Sequence, residues 1–415
     1  MFTHKDIEMR TIFVVNCIEH DRSLRVNSGE LMLEEIEGDK KRTLTKFPFQ
    51  KLLALFIIGH ITVTTPLIDK CKKYGVALVV MKPNLRPVFF WANSAEANYL
   101  LRKRQFEYST EDLSIAKCIV YNKVLNQKAA LAKTRKKDSY TEDAIKQCDA
   151  ALVTLPDVDE YNQLMGLEGT VAKTYFSAYY QNQNWRGRHP RMKSDVLNVT
   201  LDIGYSILFN FMESFIRMFG FDLYVGVYHR LWFKRKSLVC DLMEPFRCII
   251  DHAALLAFNR KQFSEKNFTL IKQEYHLKYE KCADYYRVFY DELIARKMDI
   301  FKFVQQYYRC FMGCKSVKEY PIFEFSMIIV SYDISDDKMR TNFSKMLKSN
   351  GAIRLQFSVY EVRNTKRIVD NLVAKIEAYA KHFTADDSVI LFDVDSDKLT
   401  KYGNAIHRDQ AIVYF

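Results

Sequence analysis

From residue 9 to about 92 the apolar residues come in short runs, RTIFVVNC, LRVN, ALFII, ITVTT and GVALVVM, broken by charged or Gly/Asn turns. Short runs rich in Val, Ile, Phe and Thr predict strands. One helical stretch, LIDKCKKYG, ends on Gly75, a residue type that stops helices without steric cost. Residues 1–94 are therefore expected to form small sheets packed on each other, a β-sandwich-like domain. Near residue 95 the period changes. Over 95–109, 111–135, 156–182, 195–219 and 278–312 apolar residues recur at i, i+3 and i+4, which predicts an all-α domain over 95–313. An irregular, Gly-containing stretch, FGFDLYVG (219–226), interrupts it. Beyond a linker at 314–326 a third pattern begins. MIIVSYD, IRLQFSVYEV and SVILFDV read as strands, and DDKMRTNFSKMLKSNG and KRIVDNLVAKIEAYAKHF as amphipathic helices. If KYGNAIHRDQAIVYF supplies the last strand, residues 327–415 take the order βαββαβ of a ferredoxin-like α+β domain. RNA-recognition domains share that order, but their K/R-G-F/Y-G/A-F motif is absent here.

Composition sharpens this three-part division. A length of 415 residues suits two or three domains. The net charge is +12, yet from Ser326 onward 13 Lys and Arg face 12 Asp and Glu. The first 325 residues thus carry +11, and a basic body with a neutral tail predicts a polyanionic partner for the body. A solvated basic surface is the plainer alternative. The nine cysteines show no CxxC pair, and Cys310 and Cys314 have no companion pair at zinc spacing. Reduced, buried thiols in a cytoplasmic protein are expected. The opening MFTHKDIEMR is too polar for a signal peptide, and LLALFII is far too short to span a bilayer.

Candidate chemistry centres on SLVCDLMEPFR, where Asp241 and Glu244 stand three apart in an apolar stretch. At that spacing two helical side chains share a face. Pro245 is tolerated in a helix's first turn, so a helix is expected to start near Leu242 and run toward Phe258. Acids at such a helix start also cap free N–H groups, which needs no further function. His229, in GVYHRLWF, lies on a non-helical connection that can fold back toward them, or packs as an aromatic. Glu168, in YNQLMGLEGTVAKTYF, sits on an apolar helical stripe between Gly166 and Gly169. Small neighbours would let a substrate approach it; a buried Glu–Arg pair is the alternative. Carboxylates plus one imidazole suit Mg²⁺ or Mn²⁺ better than structural zinc. Two basic stretches lie nearby in sequence, WRGRHPRMK (185–193) and FKRK (233–236). Arginines framing a metal-binding acidic set fit phosphodiester chemistry.

LMGLEGTVAKTYF, then WRGRHPRMKSDVLNVTLDIGYSILFN, then His229 and SLVCDLMEPFR resemble, in that order, the catalytic subunit of the CRISPR spacer-acquisition integrase. The resemblance covers about residues 10–310 and is strongest to members accompanying type V systems. SYDISDDKMRTNFSKMLKSNGAIRLQFSVYEV resembles the small ferredoxin-like partner subunit of the same integrase, so the chain looks like a fusion of the two. The resemblance implies that Glu168, His229 and Glu244 hold Mg²⁺ or Mn²⁺, with Asp241 as a supporting acid at the catalytic centre. The basic residues Arg186, Arg188, Arg191, Lys234, Arg235, Lys236 and Arg247 are expected to hold DNA. Asp333 matches an acid credited with nuclease activity in some relatives of the small subunit, and is read here as structural or vestigial. The implied reaction is attack of a 3′-hydroxyl of a short captured duplex on a phosphodiester of the CRISPR leader-repeat. The implied assembly is a homo-oligomer in which catalytic-domain dimers, joined through residues 1–94, flank a dimer of the tail domains. A metal-dependent endonuclease that only hydrolyses, and a non-catalytic DNA-binding scaffold, remain as alternatives.

Overall fold

The computed structural model describes residues 3–92, 95, 98–108, 111–132, 134, 138–323, 328–350, 352–362, 366–393 and 412–414. A short helix α1 (His4–Met9) leads into β1 (Thr11–Cys17), β2 (Arg22–Asn27), β3 (Glu30–Glu37), β4 (Lys40–Pro48), β5 (Leu52–Gly59), α2 (Thr65–Tyr74), β6 (Ala77–Met81) and β7 (Pro87–Trp91). The strands β2, β3 and β4 form an antiparallel meander, while β1, β5 and β6 run parallel with β7 antiparallel at one edge. The parallel strands explain the uninterrupted apolar run at 52–58, because a strand covered on both faces has no polar side. Phe13, Val15, Leu55 and Ile57 face Leu24, Leu31 and Leu33 of the meander and Leu67 and Cys71 of α2. Their alternates Ile12, Val14, Phe56 and Ile58 face the helical domain. Two sheets do pack on each other, but the larger is also one layer of the helical core. The run ITVTT does not become a strand; the chain passes from Thr64 straight into α2, which Gly75 ends at φ +70°.

The helical domain comprises α3 (Tyr99–Glu107), α4 (Ser114–Ala132), α5 (Ser139–Thr154), α6 (Tyr161–Tyr179), α7 (Val196–Met218), α8 (Ser237–Met243), α9 (Arg247–Asn259), α10 (Tyr279–Ala295) and α11 (Lys297–Met312). A hairpin of β8 (Phe268–Ile271) and β9 (Glu274–Leu277) interrupts it, so the region is not purely α. The segment 278–312 divides at Arg296, and α5 falls between two of the expected helices. Buried along nearly its whole length, α7 forms the axis: Leu201, Leu208, Phe211, Met212 and Phe215 are all buried. Around it Phe211 stacks on Phe56 of β5 and Gly204 faces Ile250 and Phe289 so closely that a Cβ would overlap them.

The segment 314–323 is not a free linker. Tyr320 and Phe323 are buried, and the Phe323 ring lies 4.4 Å from that of Phe246. Asn122 accepts from the Phe323 N–H (2.8 Å) and donates to the Pro321 carbonyl (3.1 Å), and Asn126 donates to the Phe323 carbonyl (2.8 Å). Two buried amides thus satisfy three backbone groups that a buried strap would otherwise leave unpaired.

The tail runs β10 (Ile328–Asp333), α12 (Asp337–Ser349), β11 (Ile353–Gln356), β12 (Val359–Val362), α13 (Lys366–Ala380) and β13 (Ser388–Asp393), in an antiparallel sheet of order β11-β12-β10-β13. It has a core of its own, with Val330, Phe343, Leu347, Tyr360 and Leu372 buried. The βαββαβ order is reached differently from expectation. IRLQFSVYEV is two strands joined at a turn where Ser358 takes φ +62°. The end of KYGNAIHRDQAIVYF, β14 (Ile412–Tyr414), pairs instead in parallel with β1 of the first domain. The hairpin had already supplied the missing strand, which left the terminal residues for the open edge of β1.

Candidate active site

A cleft of about 1550 Å³ opens against α4, α6, α7 and the segment 229–251. Glu168, His229, Lys236, Glu244, Arg247, Arg186, Arg188 and Arg191 all line it. The two acids of SLVCDLMEPFR do not open a helix. An earlier helix, α8, begins at Ser237, and Pro245 sits in a single 3-10 turn (Glu244–Phe246) that hands over to α9. Asp241 therefore lies in the last turn of α8, and Glu244 at the joint.

That joint divides their tasks. Asp241 is fully buried and accepts from the N–H groups of Val227 (2.6 Å), Tyr228 (3.2 Å) and His229 (2.8 Å), and holds His229 Nδ1 at 2.7 Å. It moulds the connection 226–229 around itself and fixes the imidazole. Gly226 is required for this approach, since a Cβ there would stand 2.5 Å from Asp241 Oδ2. With Nδ1 engaged, Nε2 is the histidine nitrogen left for a ligand, the usual carboxylate–imidazole arrangement behind a metal.

Glu244 is buried and points the other way. Its Oε2 is 2.7 Å from Lys123 Nζ and 2.9 Å from Arg247 Nε. The same Lys123 donates to Glu168 Oε1. Burial opposes ionisation of Glu244, but Arg247, Lys123 and His229 outweigh it and hold the carboxyl down at about 2. Burial likewise disfavours the Lys123 ammonium, yet Glu244 and Glu168 outweigh it and raise its pKa. Two carboxylates from α6 and the 244–246 turn thus share one cation contributed by α4.

Sequence reading missed Lys123, although a signal existed. It is a lysine in step with Ile119, Val120 and Gln127 on the buried side of α4, where an unpaired ammonium would be very costly. Also missed was the floor beneath Arg247. There Asp251, buried in α9, accepts from Tyr175 (3.0 Å) and from Tyr205, and its carbonyl accepts from Tyr180 (2.8 Å). Burial pushes the Asp251 carboxyl up to about 6 against those hydrogen bonds and the nearby Arg247 and Arg188. The Arg247 guanidinium lies 4.7 Å from the Tyr205 ring centre, so α9 and α7 hold it flat against an aromatic face.

The expected phosphate-holding cations divide into two groups. Arg188 is bound to Asp202 and to Asn198 Oδ1 (2.7 Å), and Lys236 places its ammonium 2.7 Å from both oxygens of Glu213. Arg235 folds back onto the Arg230 carbonyl, and Arg247 is committed to Glu244. These four brace the walls of the site. Arg186, Arg191 and Lys234 are exposed. The loop carrying Arg186 and Arg191 is pinned to α7, where Asn198 bonds the His189 N–H (2.9 Å) and Gly187 carbonyl (2.8 Å), and Asp202 accepts from the Arg191 N–H (2.7 Å). Asp333 lies far along the chain at the exposed end of β10, opposite Ser388.

Among the described residues no three His, Cys, Asp or Glu side chains are gathered closely enough to hold a metal ion. Lys123 stands between the two carboxylates instead. The donor chemistry nonetheless fits a hard divalent cation: two carboxylates already organised around one positive charge, beside an imidazole fixed through its far nitrogen. Glu168, Glu244 and His229 Nε2 are the atoms that would hold it. No helix among the described residues is long and apolar enough to cross a membrane.

Comparison with known proteins agrees with this layout. Residues 16–290 match the family described as CRISPR associated protein Cas1, and residues 326–402 match the CRISPR associated protein Cas2 family. A "CRISPR-associated endonuclease Cas1 1" from Thermodesulfovibrio yellowstonii is 24% identical over 271 residues, covering 63% of this chain and 83% of that protein. A solved "Cas6-RT-Cas1--Cas2 complex" superposes with a TM-score of 0.63 at 19% identity, over 76% of this chain and 36% of that one. A "Casposase bound to integration product" gives 0.61 at 19% identity, over 82% of this chain and the whole of the other. The chain belongs to the Cas1 family of CRISPR-associated proteins and carries a Cas2 domain fused at its C-terminal side.

Proposed function

We propose that the protein joins short duplex DNA into a CRISPR array by direct transesterification, with Mg²⁺ or Mn²⁺ held by Glu168, His229 and Glu244. The observation that carries the reading is the pair Glu168 and Glu244, held from separate elements around one cation in a cleft rimmed by Arg186 and Arg191. The divalent ion would supply Lewis-acid polarisation of the reacting oxygens and phosphate. Everything else falls to the chain. Arg186, Arg191 and Lys234 hold phosphates without reading sequence. Arg247, clamped between Glu244 and the Tyr205 face, offers fixed positive charge to a phosphoryl oxygen. Asp241 keeps His229 in one tautomer and orientation.

In the reaction the incoming 3′-oxygen forms a bond to phosphorus as the acceptor strand's P–O3′ bond breaks. The hydroxyl proton passes through solvent to the departing 3′-oxygen. One phosphodiester replaces another, so no energy-supplying cofactor is needed. The likeness to a Cas1–Cas2 complex and to a casposase supports this class of reaction, and the name endonuclease given to the bacterial relative supports the hydrolytic alternative. The partners in this reading are a captured duplex and the leader-repeat. The assembly is a homo-oligomer in which residues 1–94 pair catalytic domains and the tail, ferredoxin-like in its βαββαβ order, pairs with a second tail. Nine free thiols fit a reducing, cytoplasmic setting. Asp333, exposed and not among the residues lining the cleft, is assigned no part in joining.

The test is half-site joining on supercoiled plasmid, with substrates ending in 3′-hydroxyl or a blocked 3′ end, in Mg²⁺, Mn²⁺ or chelator. Joined product is expected only with free ends and a divalent ion, and Glu168→Gln or Glu244→Gln should abolish it while DNA binding persists. Cleavage that continues unchanged with blocked ends, and no joining with free ones, would establish the hydrolytic reading instead.

A further inference from the structure

Leu231, Trp232 and Phe233 follow directly after His229 and Arg230, and are 62%, 73% and 81% exposed. Three consecutive large apolar side chains in water are a feature that stability does not explain. They do not belong to a slack loop. The Arg235 N–H closes a turn onto the Trp232 carbonyl at 3.0 Å, with Lys234 at φ +58° inside it. At its base the Arg235 guanidinium and Ser237 Oγ both donate to the Arg230 carbonyl, the latter at 3.2 Å, and Arg235 Nε donates to Ser237 Oγ at 3.3 Å. The Arg230 guanidinium is itself stacked 3.9 Å from the Tyr161 ring centre. The two feet of the turn, His229 and Lys236, line the cleft, whereas its tip does not. The rings are therefore carried on a braced projection from the wall of the active site.

We propose that Trp232 and Phe233 form a stacking site for unpaired nucleobases of the DNA strand whose end enters the cleft. The inference rests on the DNA reading above. Charge selects this occupant over an apolar protein surface: Arg230 and Lys234 flank the rings, and the Lys234 ammonium lies 5.0 Å from the Phe233 ring centre. An anionic ligand with π faces satisfies both features at once, and only unpaired bases expose those faces. Base–aromatic stacking tolerates any base, so the tip would favour single-stranded ends without choosing a sequence. The arrangement gives Arg186 and Arg191 the duplex backbone and gives the turn the terminal unpaired nucleotides.

The experiment uses the full chain in chelator, with fluorescence anisotropy of a blunt duplex and of the same duplex extended by a single-stranded 3′ oligothymidine. Trp232→Ala and Phe233→Ala should each weaken binding of the extended duplex by about 5- to 100-fold, leave blunt-duplex binding unchanged, and leave the urea unfolding curve unmoved. Trp232→Phe should restore most of the loss. Equal weakening on both duplexes, or none on either, overturns the proposal. A change in sedimentation of the DNA-free protein on Trp232→Ala, with extended-duplex affinity unaltered, assigns the tip to a contact between copies of the chain. If wild-type protein binds neither duplex, the DNA reading itself fails; if it binds both alike, only the stacking site does.

Discussion

Replacing Lys123 by Met removes the cation that Glu168 and Glu244 share while keeping a side chain of similar length. The contact with Glu244 Oε2 is 2.7 Å, and Glu244 is only 3% exposed. At an effective dielectric constant of about 20 that separation corresponds to about 6 kcal/mol of gross attraction. Desolvation of both ions offsets much of this, so the measurable quantity is the loss on stranding one partner, about 3–5 kcal/mol for a buried pair. Arg247 remains 2.9 Å from the same oxygen, which places Lys123→Met near the lower end, about 3 kcal/mol. Urea unfolding in chelator at neutral pH measures it. Lys123→Met with Glu244→Gln should recover most of the loss, because the stranded charge is gone. Mn²⁺ should stabilise Lys123→Met more than it stabilises wild type, since it can take the ammonium's place. A loss below about 1 kcal/mol, no recovery in the double variant, or equal Mn²⁺ stabilisation of both proteins would refute the shared-cation reasoning.

Two buried acids should bend the pH dependence of stability in opposite directions. Glu244 falls from an ordinary 4.5 to about 2 in the fold, so its contribution is complete above pH 4.5 and lost as pH falls toward 2; Glu244→Gln should flatten that limb. Asp251 rises from 3.8 to about 6, so the fold binds its proton more tightly and stability declines as pH rises from 3.8 to 6. Asp251→Asn should remove that decline, as read by urea midpoints across the range. Gly226→Ala sets a methyl group against Asp241 Oδ2 and should abolish joining while DNA binding remains; wild-type joining would refute the need for the Asp241–His229 contact. Arg186→Ala and Arg191→Ala should each lower the slope of log affinity against log salt by about 0.7–0.9. Lys236→Ala and Arg188→Ala, whose charges are already spent on Glu213 and Asp202, should leave that slope nearly unchanged and destabilise the fold instead.

What the sequence made legible was local. The end of α2 at Gly75, the long apolar α7 and the irregular stretch at 219–226 each follow from a few consecutive residues. Asp241, Glu244 and His229 lie within 16 positions of one another, so their proximity could be read off the chain. The misses are of three physical kinds. Lys123 is 45 residues from Glu168 and more than a hundred from Glu244, and nothing in α4 itself says which acids will meet it. The turn at 357–358 has Phe and Ser where Gly or Asn would have signalled a hairpin, and Ser358 adopts the left-handed conformation regardless. Counting strands within one domain places the last strand in the tail sheet, whereas β14 settles on the open edge of another sheet. The segment 314–326 reads as a linker because its residues carry no periodicity; the anchoring of 314–323 comes from Asn122 and Asn126, about two hundred residues earlier.

The charges around the cleft also bear on when a divalent ion would bind. Glu168 and Glu244 are negative, Lys123 and Arg247 positive, and together these four contacting groups sum to zero. A neutral cluster offers a dication little net attraction, in keeping with an ammonium holding the place between the carboxylates. Bringing a phosphodiester beside Arg247 adds a negative charge and gives Lys123 a second anion to pair with. Freeing the carboxylates in that way would make cation and DNA binding mutually favourable, with a coupling reciprocal in affinity. Lys123→Met leaves the cluster at −1, so in that variant Mn²⁺ should no longer depend on DNA for its affinity. On that reading the carboxylates stay paired with Lys123 while no substrate is present and would be exposed for chemistry only once the phosphate to be attacked has arrived.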